Sequence, residues 1–183
     1  MNNEEYLEHY GVKGMKWGVH KTRKLVTDLS SSRKKSQNER LEKKAAKKNI
    51  CFEIVDPKKQ IVCETDSFRL QQVIINLVSN AIAYTPPNGK VTVSVSEDKD
   101  EVFIKVSDTG IGIDEKEFPR IFERFYRVDK DRSRESGGTG LGLAIVKHIL
   151  EAHHGKITID SKLDEGSTFT VIIPRSQGSD RGK

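Results

Sequence analysis

The apolar positions of this chain follow two different periods. Between residues 67 and 84, Leu70, Val73, Ile74, Leu77, Val78, Ala81 and Ile82 recur at intervals of three and four, which aligns them on one face of an α-helix. Asp66 or Ser67 can cap its start. Thr85-Pro86-Pro87-Asn88-Gly89 ends it, because proline cannot continue the hydrogen-bond ladder. The period then drops to two. Val91, Val93 and Val95 alternate with Thr92, Ser94 and Ser96, and Val102, Ile104 and Val106 alternate in the same way after Glu97–Asp100. The two runs predict an antiparallel hairpin. Lys156–Asp160 and Thr168–Ile173 form a second strand pair around Asp164-Glu165-Gly166. Residues 140–153 predict another helix, with Leu141, Ala144, Ile145, His148, Ile149 and Ala152 on one stripe.

The remaining segments are less regular. Residues 37–48 are rich in helix formers and end at Asn49, which suits a helix terminus. Cys51–Val55 and Gln60–Cys63 are short strand candidates around Asp56-Pro57-Lys58, a turn signal. That arrangement predicts a hairpin with Cys51 facing Cys63 as two reduced core thiols. Residues 109–139 are turn-rich, with one short helix expected near Glu115–Phe122. Residues 1–36 keep no period, and Ser30–Ser36 reads as a flexible linker. The order of elements predicts an α/β (α+β) two-layer sandwich, a mixed and mostly antiparallel sheet with helices on one face. The expected organisation is a tail over 1–36, a folded domain over 37–174 and a C-terminal tail over 175–183.

Composition narrows the class. The chain has 183 residues and 34% apolar residues, enough for one domain of ordinary size. No stretch approaches the ~20 apolar residues of a membrane span, and Met1-Asn2-Asn3-Glu4-Glu5 does not open a secretory signal. Two cysteines exclude a disulfide scaffold and a multi-cysteine zinc site, so a cytoplasmic setting is expected. Residues 1–49 hold 13 Lys/Arg against 6 Asp/Glu, while residues 50–183 hold 19 against 21. The basic character therefore belongs to the tail. Such a tail can touch nucleic acid or an anionic membrane surface; the expectation here is a solvated lead-in with no specific nucleic-acid partner.

Three constellations carry candidate chemistry. Asn76 and Asn80 lie four apart on the flank of the first helix, with Tyr84 continuing the line. An Asn carbonyl is a hard oxygen donor suited to Mg²⁺, which takes few protein ligands and keeps waters and substrate phosphates. Asp108-Thr109-Gly110-Ile111-Gly112-Ile113 follows a strand directly. Its glycines can admit a ligand close to the backbone, and an Asp there can accept a hydrogen bond from an exocyclic amine; a plain turn is an equal reading. Gly137-Gly138-Thr139-Gly140-Leu141-Gly142 opens the last helix, where bare N–H groups attract anions. It is neither a Walker loop nor a Rossmann fingerprint. Between the glycine clusters, Ile121–Arg132 interleaves aromatics with arginines that can reach phosphates, or that simply pair on a surface helix.

Asn76–Asn80, DTGIGI, IFERFYRVD and GGTGLGLAIVKHILEAH resemble, in order and spacing, the N, G1, F and G2 boxes of sensor histidine kinases. The resemblance runs from about Gln37 to Pro174 and is strongest to phosphate-responsive and cell-wall sensor kinases of Gram-positive bacteria. It implies the ATP-binding fold shared with gyrase, Hsp90 and MutL, a mixed sheet covered on one face by three helices. It also implies ATP and Mg²⁺ as cofactors. Asn80 would coordinate the metal. Asp108 would bond the adenine amino group, with Gly110 and Gly112 shaping the pocket and Tyr84 against the base or ribose. Phe122 and Phe125 would pin the base of a lid over about 124–138. Arg127, the catalytic candidate, and Arg124 would meet the terminal phosphates. Gly138, Gly140 and Gly142, with Thr139 and Leu141 among them, would let the lid fold over the triphosphate.

The resemblance has departures. Many family members carry a Lys three positions after the metal Asn, where this chain has Ala83. ATP hydrolases of the fold use a Glu one turn before that Asn to activate water; here the position is Asn76, a poor base, which favours phosphoryl transfer over hydrolysis. The family receives phosphate on a His in an H-E-[LI]-[RK]-T-P context. His9, His20, His148, His153 and His154 all lack it, and His148 and His153 read as structural. The expected partners are therefore a histidine phosphoacceptor and dimerisation domain and a response regulator, both on other chains. Tail residues His9–His20 are similar to a short segment recurring in phage and prophage proteins. Rival readings are a nucleotide-binding regulator without catalysis and a phage-related interaction protein working through the tail; the FERFYR segment argues against a Ser/Thr kinase of the anti-sigma type.

Overall fold

The computed structural model describes residues 32–55, 57, 61–63, 65–128 and 139–175, with side chains from residue 40 onward. Helix α1 covers Ser32–Lys47, so the backbone is already helical through much of the serine-rich stretch read as a linker. It ends at Asn49 with a φ of 52°, a left-handed turn that Asn tolerates. Strand β1 (Cys51–Val55) precedes helix α2 (Ser67–Tyr84), which Asp66 caps by accepting the N–H groups of Phe68 and Arg69. Strands β2 (Lys90–Glu97) and β3 (Glu101–Asp108) follow. After a 3-10 turn at Glu115–Glu117 come, among the described residues, helix α3 (Gly142–Ala152) and strands β4 (Lys156–Lys162) and β5 (Gly166–Pro174).

The sheet has the order β1-β2-β3-β5-β4. β1 pairs with β2 in parallel, and the other three pairings are antiparallel. Helices α2 and α3 pack on one another and on the sheet, and α1 packs against α2. The alternation of β2, β3 and β5 sends Val91, Val93, Val102, Ile104, Val106, Phe169, Val171 and Ile173 inward against Val73, Leu77, Ile82, Val146 and Leu150. The two-layer sandwich with a mixed, mostly antiparallel sheet is the architecture that the periodicity predicts.

Two expectations are corrected. Cys51 and Cys63 do not face each other across a hairpin: β1 takes β2 as its partner, residues 61–63 are not a strand, and Cys51 is exposed while Cys63 is buried. Burial pushes the Cys63 thiol up to about 11. The turn signal at Asp56–Lys58 was local, whereas strand partners are settled by packing across the sheet. The inward stripe of α3 is Val146, Ile149 and Leu150, with Lys147, His148 and Ala152 exposed. Among the described residues no helix is long and apolar enough to cross a membrane.

Candidate functional site

Burying Leu70, Val73, Leu77, Val78, Ala81 and Ile82 turns the polar flank of α2 toward the start of α3. Asn76 Nδ2 lies 3.4 Å from the carbonyl oxygen of Gly142. A Cβ on Gly142 would stand 3.9 Å from Asn80 Oδ1 and 4.0 Å from its Nδ2, so the Asn80 carboxamide directly faces the first turn of α3. That carboxamide makes no hydrogen bond among the described residues, and Leu141 gives the helix no side-chain cap. Uncapped amides and a hard oxygen donor thus meet at one place, with the positive end of the helix dipole behind them.

One turn further along α2, the Tyr84 carbonyl accepts the N–H of Ile111 at 3.3 Å. Gly110 is buried, and a Cβ there would come within 2.8 Å of the same carbonyl. The loop after β3 is therefore seated on the end of α2, with the Tyr84 ring left exposed. Asp108 begins this loop, and its Oδ1 accepts the Gly110 N–H at 2.8 Å. Burial raises its carboxyl pKa, and amide bonds from Gly110 and Ser167 work against that shift. Gly112 has a φ of +67°, and a Cβ there would overlap the Lys162 carbonyl oxygen; no other residue fits. Asn80 and Tyr84 are four residues apart, about 6 Å along the helix axis. The carboxamide and the Asp108 loop therefore occupy two ends of one short span.

The segment between the glycine clusters supplies a third wall. Phe125 donates its N–H to the Gly140 carbonyl at 2.9 Å, and a Cβ on Gly140, whose φ is +71°, would lie 2.9 Å from the Phe125 backbone. Phe122 packs on the core, while most of the lid that it was expected to pin lies outside the described residues. Phe125 does not pack there: its ring is 71% exposed and its backbone, at a φ of 64°, makes the connection. Tyr126 stacks under the Arg120 guanidinium, 4.1 Å from the ring centre, and bonds Glu117. One terminal nitrogen of Arg127 is buried without a hydrogen-bond partner among the described residues, whereas Arg124 and Thr139 are exposed. Gly138 lies outside the described residues. Of the predicted site residues, the structure brings Asn80, Tyr84, Asp108, Gly110, Leu141 and Gly142 around α2 and seats Gly140 against Phe125. Gly112 turns away from that helix, toward the β4–β5 turn.

Residues that spacing did not single out support this arrangement. Lys48 holds the end of α2 through three carbonyls, and Ser161 reaches the Asp108 loop through the Ile113 amide. Both lie far from their partners in sequence, where periodicity carries no signal. His148 is exposed, and His153 Nδ1 contacts the Ile149 carbonyl at 2.7 Å in the helix-ending turn.

A family described as histidine kinase-, DNA gyrase B- and HSP90-like ATPase matches residues 65–177. Residues 2–24 match a family of unknown function. The chain is 46% identical over 120 residues to the sensor histidine kinase WalK of Bacillus subtilis, covering 64% of this chain and 20% of WalK. It thus spans about a fifth of that relative. Among solved structures, the catalytic domain of histidine kinase ThkA superposes with a TM-score of 0.66 at 31% identity, over 85% of this chain and 93% of that one. Full-length ShkA, in complex with AMPPNP, gives 0.70 at 27% identity, over 90% of this chain and 32% of ShkA. The chain belongs to the histidine kinase-, gyrase B- and HSP90-like ATPase family and carries the ATPase-type catalytic domain of sensor histidine kinases.

Proposed function

We propose that this domain binds ATP with Mg²⁺ and acts as a protein-histidine kinase, moving the terminal phosphoryl group to a histidine of a dimerisation domain on another chain. The observation that carries this reading is the polarity of the span along α2. A carboxamide with no hydrogen bond among the described residues faces a helix start without a side-chain cap at one end, and a half-buried carboxylate beside the buried Gly110 stands at the other. A ligand with anionic groups at one end and an amine-bearing ring at the other fits that polarity.

In this reading Asp108 accepts the adenine amine, Gly110 shapes the pocket, Gly112 lets the loop close against the β4–β5 turn, and Tyr84 borders the base or ribose. Asn80 gives Mg²⁺ one hard oxygen, in keeping with an ion that takes the rest of its shell from water and phosphate. The first amides of α3, at Leu141 and Gly142, attract the phosphates, with Gly138, Thr139 and Gly140 preceding them. The bound ATP·Mg²⁺ supplies the transferable group and neutralises its charge. Arg127, whose buried nitrogen lacks a partner among the described residues, stabilises negative charge as it develops, and Arg124 adds a second cation. Asn76 stands where a water-activating base would be needed and cannot take a proton at ordinary pH, so transfer is favoured over hydrolysis. The expected setting is cytoplasmic, with a response regulator downstream.

The test is to mix the chain with a separate histidine-bearing dimerisation hairpin and γ-labelled ATP. Label on the hairpin histidine supports the kinase. Nucleotide binding with no label in repeated trials favours a binding regulator, a reading to which Ala83, in place of the family's frequent Lys, lends weight.

A further inference from the structure

The β4–β5 turn is clamped to the Asp108 loop, and one hydroxyl sits at the centre of the joint. Ser161 Oγ accepts the Ile113 N–H at 2.9 Å, donates to the Gly166 carbonyl at 2.9 Å and lies 2.8 Å from Ser167 Oγ. Its own proton goes to Gly166, so Ser167 is the donor in that last bond. A serine hydroxyl has one proton to give and two lone pairs; all three are used here, toward the Asp108 loop on one side and the adjacent residues Gly166 and Ser167 on the other. Ser167 is buried, pairs with Asp108 across β3 and β5, and its amide draws the Asp108 carboxyl pKa downward. The Asp164 N–H adds a bond to the Ile111 carbonyl at 2.9 Å.

We infer that Ser161 is a positioning residue that sets the purine selectivity of the site, an inference that rests on the adenine role proposed for Asp108. Adenine presents an amine donor where guanine presents a carbonyl acceptor. A carboxylate fixed opposite that position accepts from the first and repels the second. Discrimination then depends on how firmly Asp108 is held. Removing the Ser161 hydroxyl frees the Ile113 amide and the Gly166 carbonyl and leaves the buried Ser167 hydroxyl short of a partner. The loop and the carboxylate can then move away from a guanine that they now exclude.

The test is calorimetric titration of the full chain with Mg·ATP and with Mg·GTP, for the unaltered protein, Ser161→Ala, Ser161→Thr and Ile157→Ala. The last lies in the same strand, distant from the loop, and controls for general loss of stability. Ser161→Ala should lose about tenfold in ATP affinity and bring the ATP and GTP constants closer together by a similar factor. Ser161→Thr should restore the preference, and Ile157→Ala should lower thermal stability without changing it. An unchanged ATP-to-GTP ratio in folded Ser161→Ala, or the same change in Ile157→Ala, overturns the inference while leaving ATP binding intact. If Ser161→Ala does not fold, Ser161→Thr decides: loss of the preference despite its hydroxyl refutes the inference, and retention upholds it. Failure of the unaltered chain to bind ATP overturns both the inference and the adenine role beneath it.

Discussion

The ammonium of Lys48 lies 2.7 Å from the carbonyl oxygen of Ala83. It also reaches the carbonyls of Ile82 and Thr85, each at 3.0 Å. The last carbonyls of a helix have no partner within it, and a cation there also meets the negative end of the helix dipole. Lys48 thus ties the turn after α1 to the end of α2, where Tyr84 seats the Asp108 loop. Replacing it with Met should destabilise the chain by about 1–2 kcal/mol, toward the lower part of the range for charged hydrogen bonds because the group is only partly buried. Thermal unfolding measures the loss, and an unchanged midpoint would show that solvent serves those carbonyls equally well.

Asp108 should trade stability for binding. Its carboxyl pKa is raised by burial in the folded chain, so the folded state holds the proton more tightly than the unfolded state does. Its contribution to stability is therefore nil below the ordinary carboxylate range, becomes unfavourable as pH climbs through the raised value, and is constant above it. Asp108→Asn removes that cost and still offers an oxygen to the Gly110 amide. The ligand-free variant should melt above the unaltered chain at neutral pH, while its ATP affinity falls about tenfold or more. A lower melting point together with full affinity would contradict both halves of the argument.

Much of this was legible because it is local. The α2 stripe, its Asp66 cap and the alternation of β2 and β3 depend on residues a few positions apart, and all three stand as the periodicity predicts. The Asn76–Asn80 edge and the Asp108 loop followed from the same spacing. What failed was non-local. β1 pairs with β2 across more than thirty residues, and nothing in Cys51–Val55 names that partner. The inward stripe of α3 was misjudged because Leu143, Ala144, Ile145 and Val146 are all apolar, and only contact with α2 and β4 decides which of them is covered. Phe125 is an aromatic residue that the core does not take, because its left-handed backbone directs the ring outward.

Gly112 tests how closely the loop must approach the β4–β5 turn. A Cβ there would overlap the Lys162 carbonyl and come within 3.0 Å of the Leu163 Cα, at a φ that side chains rarely adopt. The obstacle is backbone, so it cannot swing aside as a side chain would. Gly112→Ala should cost about 2–3 kcal/mol. Chemical denaturation measures it, and a loss below half that figure would mean that the turn yields easily.

Asn80 tests the metal assignment apart from the base. Its carboxamide faces α3 with no other partner among the described residues, so Asn80→Ala leaves no buried group stranded and should keep the fold. ATP titrations with Mg²⁺ and with a chelator should differ for the unaltered chain and coincide for the variant, with a gap of about tenfold lost, the scale of one charge-assisted contact. A gap that persists would move the metal to other ligands.

Arg127 offers the sharpest division between stability and chemistry. Its buried nitrogen has no hydrogen-bond partner among the described residues, and an unpaired buried donor is a cost to the ligand-free fold. Arg127→Met keeps an unbranched side chain while removing both the cost and the cation. The variant should melt at or above the temperature of the unaltered chain. Transfer to the hairpin histidine should nonetheless fall by about 10²-fold, the scale on which a single preorganised charge acts in a transition state. ATP affinity should change far less, because the guanidinium is proposed to meet charge that develops during transfer. Single-turnover labelling at saturating ATP separates the two effects. Equal losses in affinity and rate would assign Arg127 to holding the nucleotide in its ground state, and a lower melting point would mean that its guanidinium supports the ligand-free fold after all.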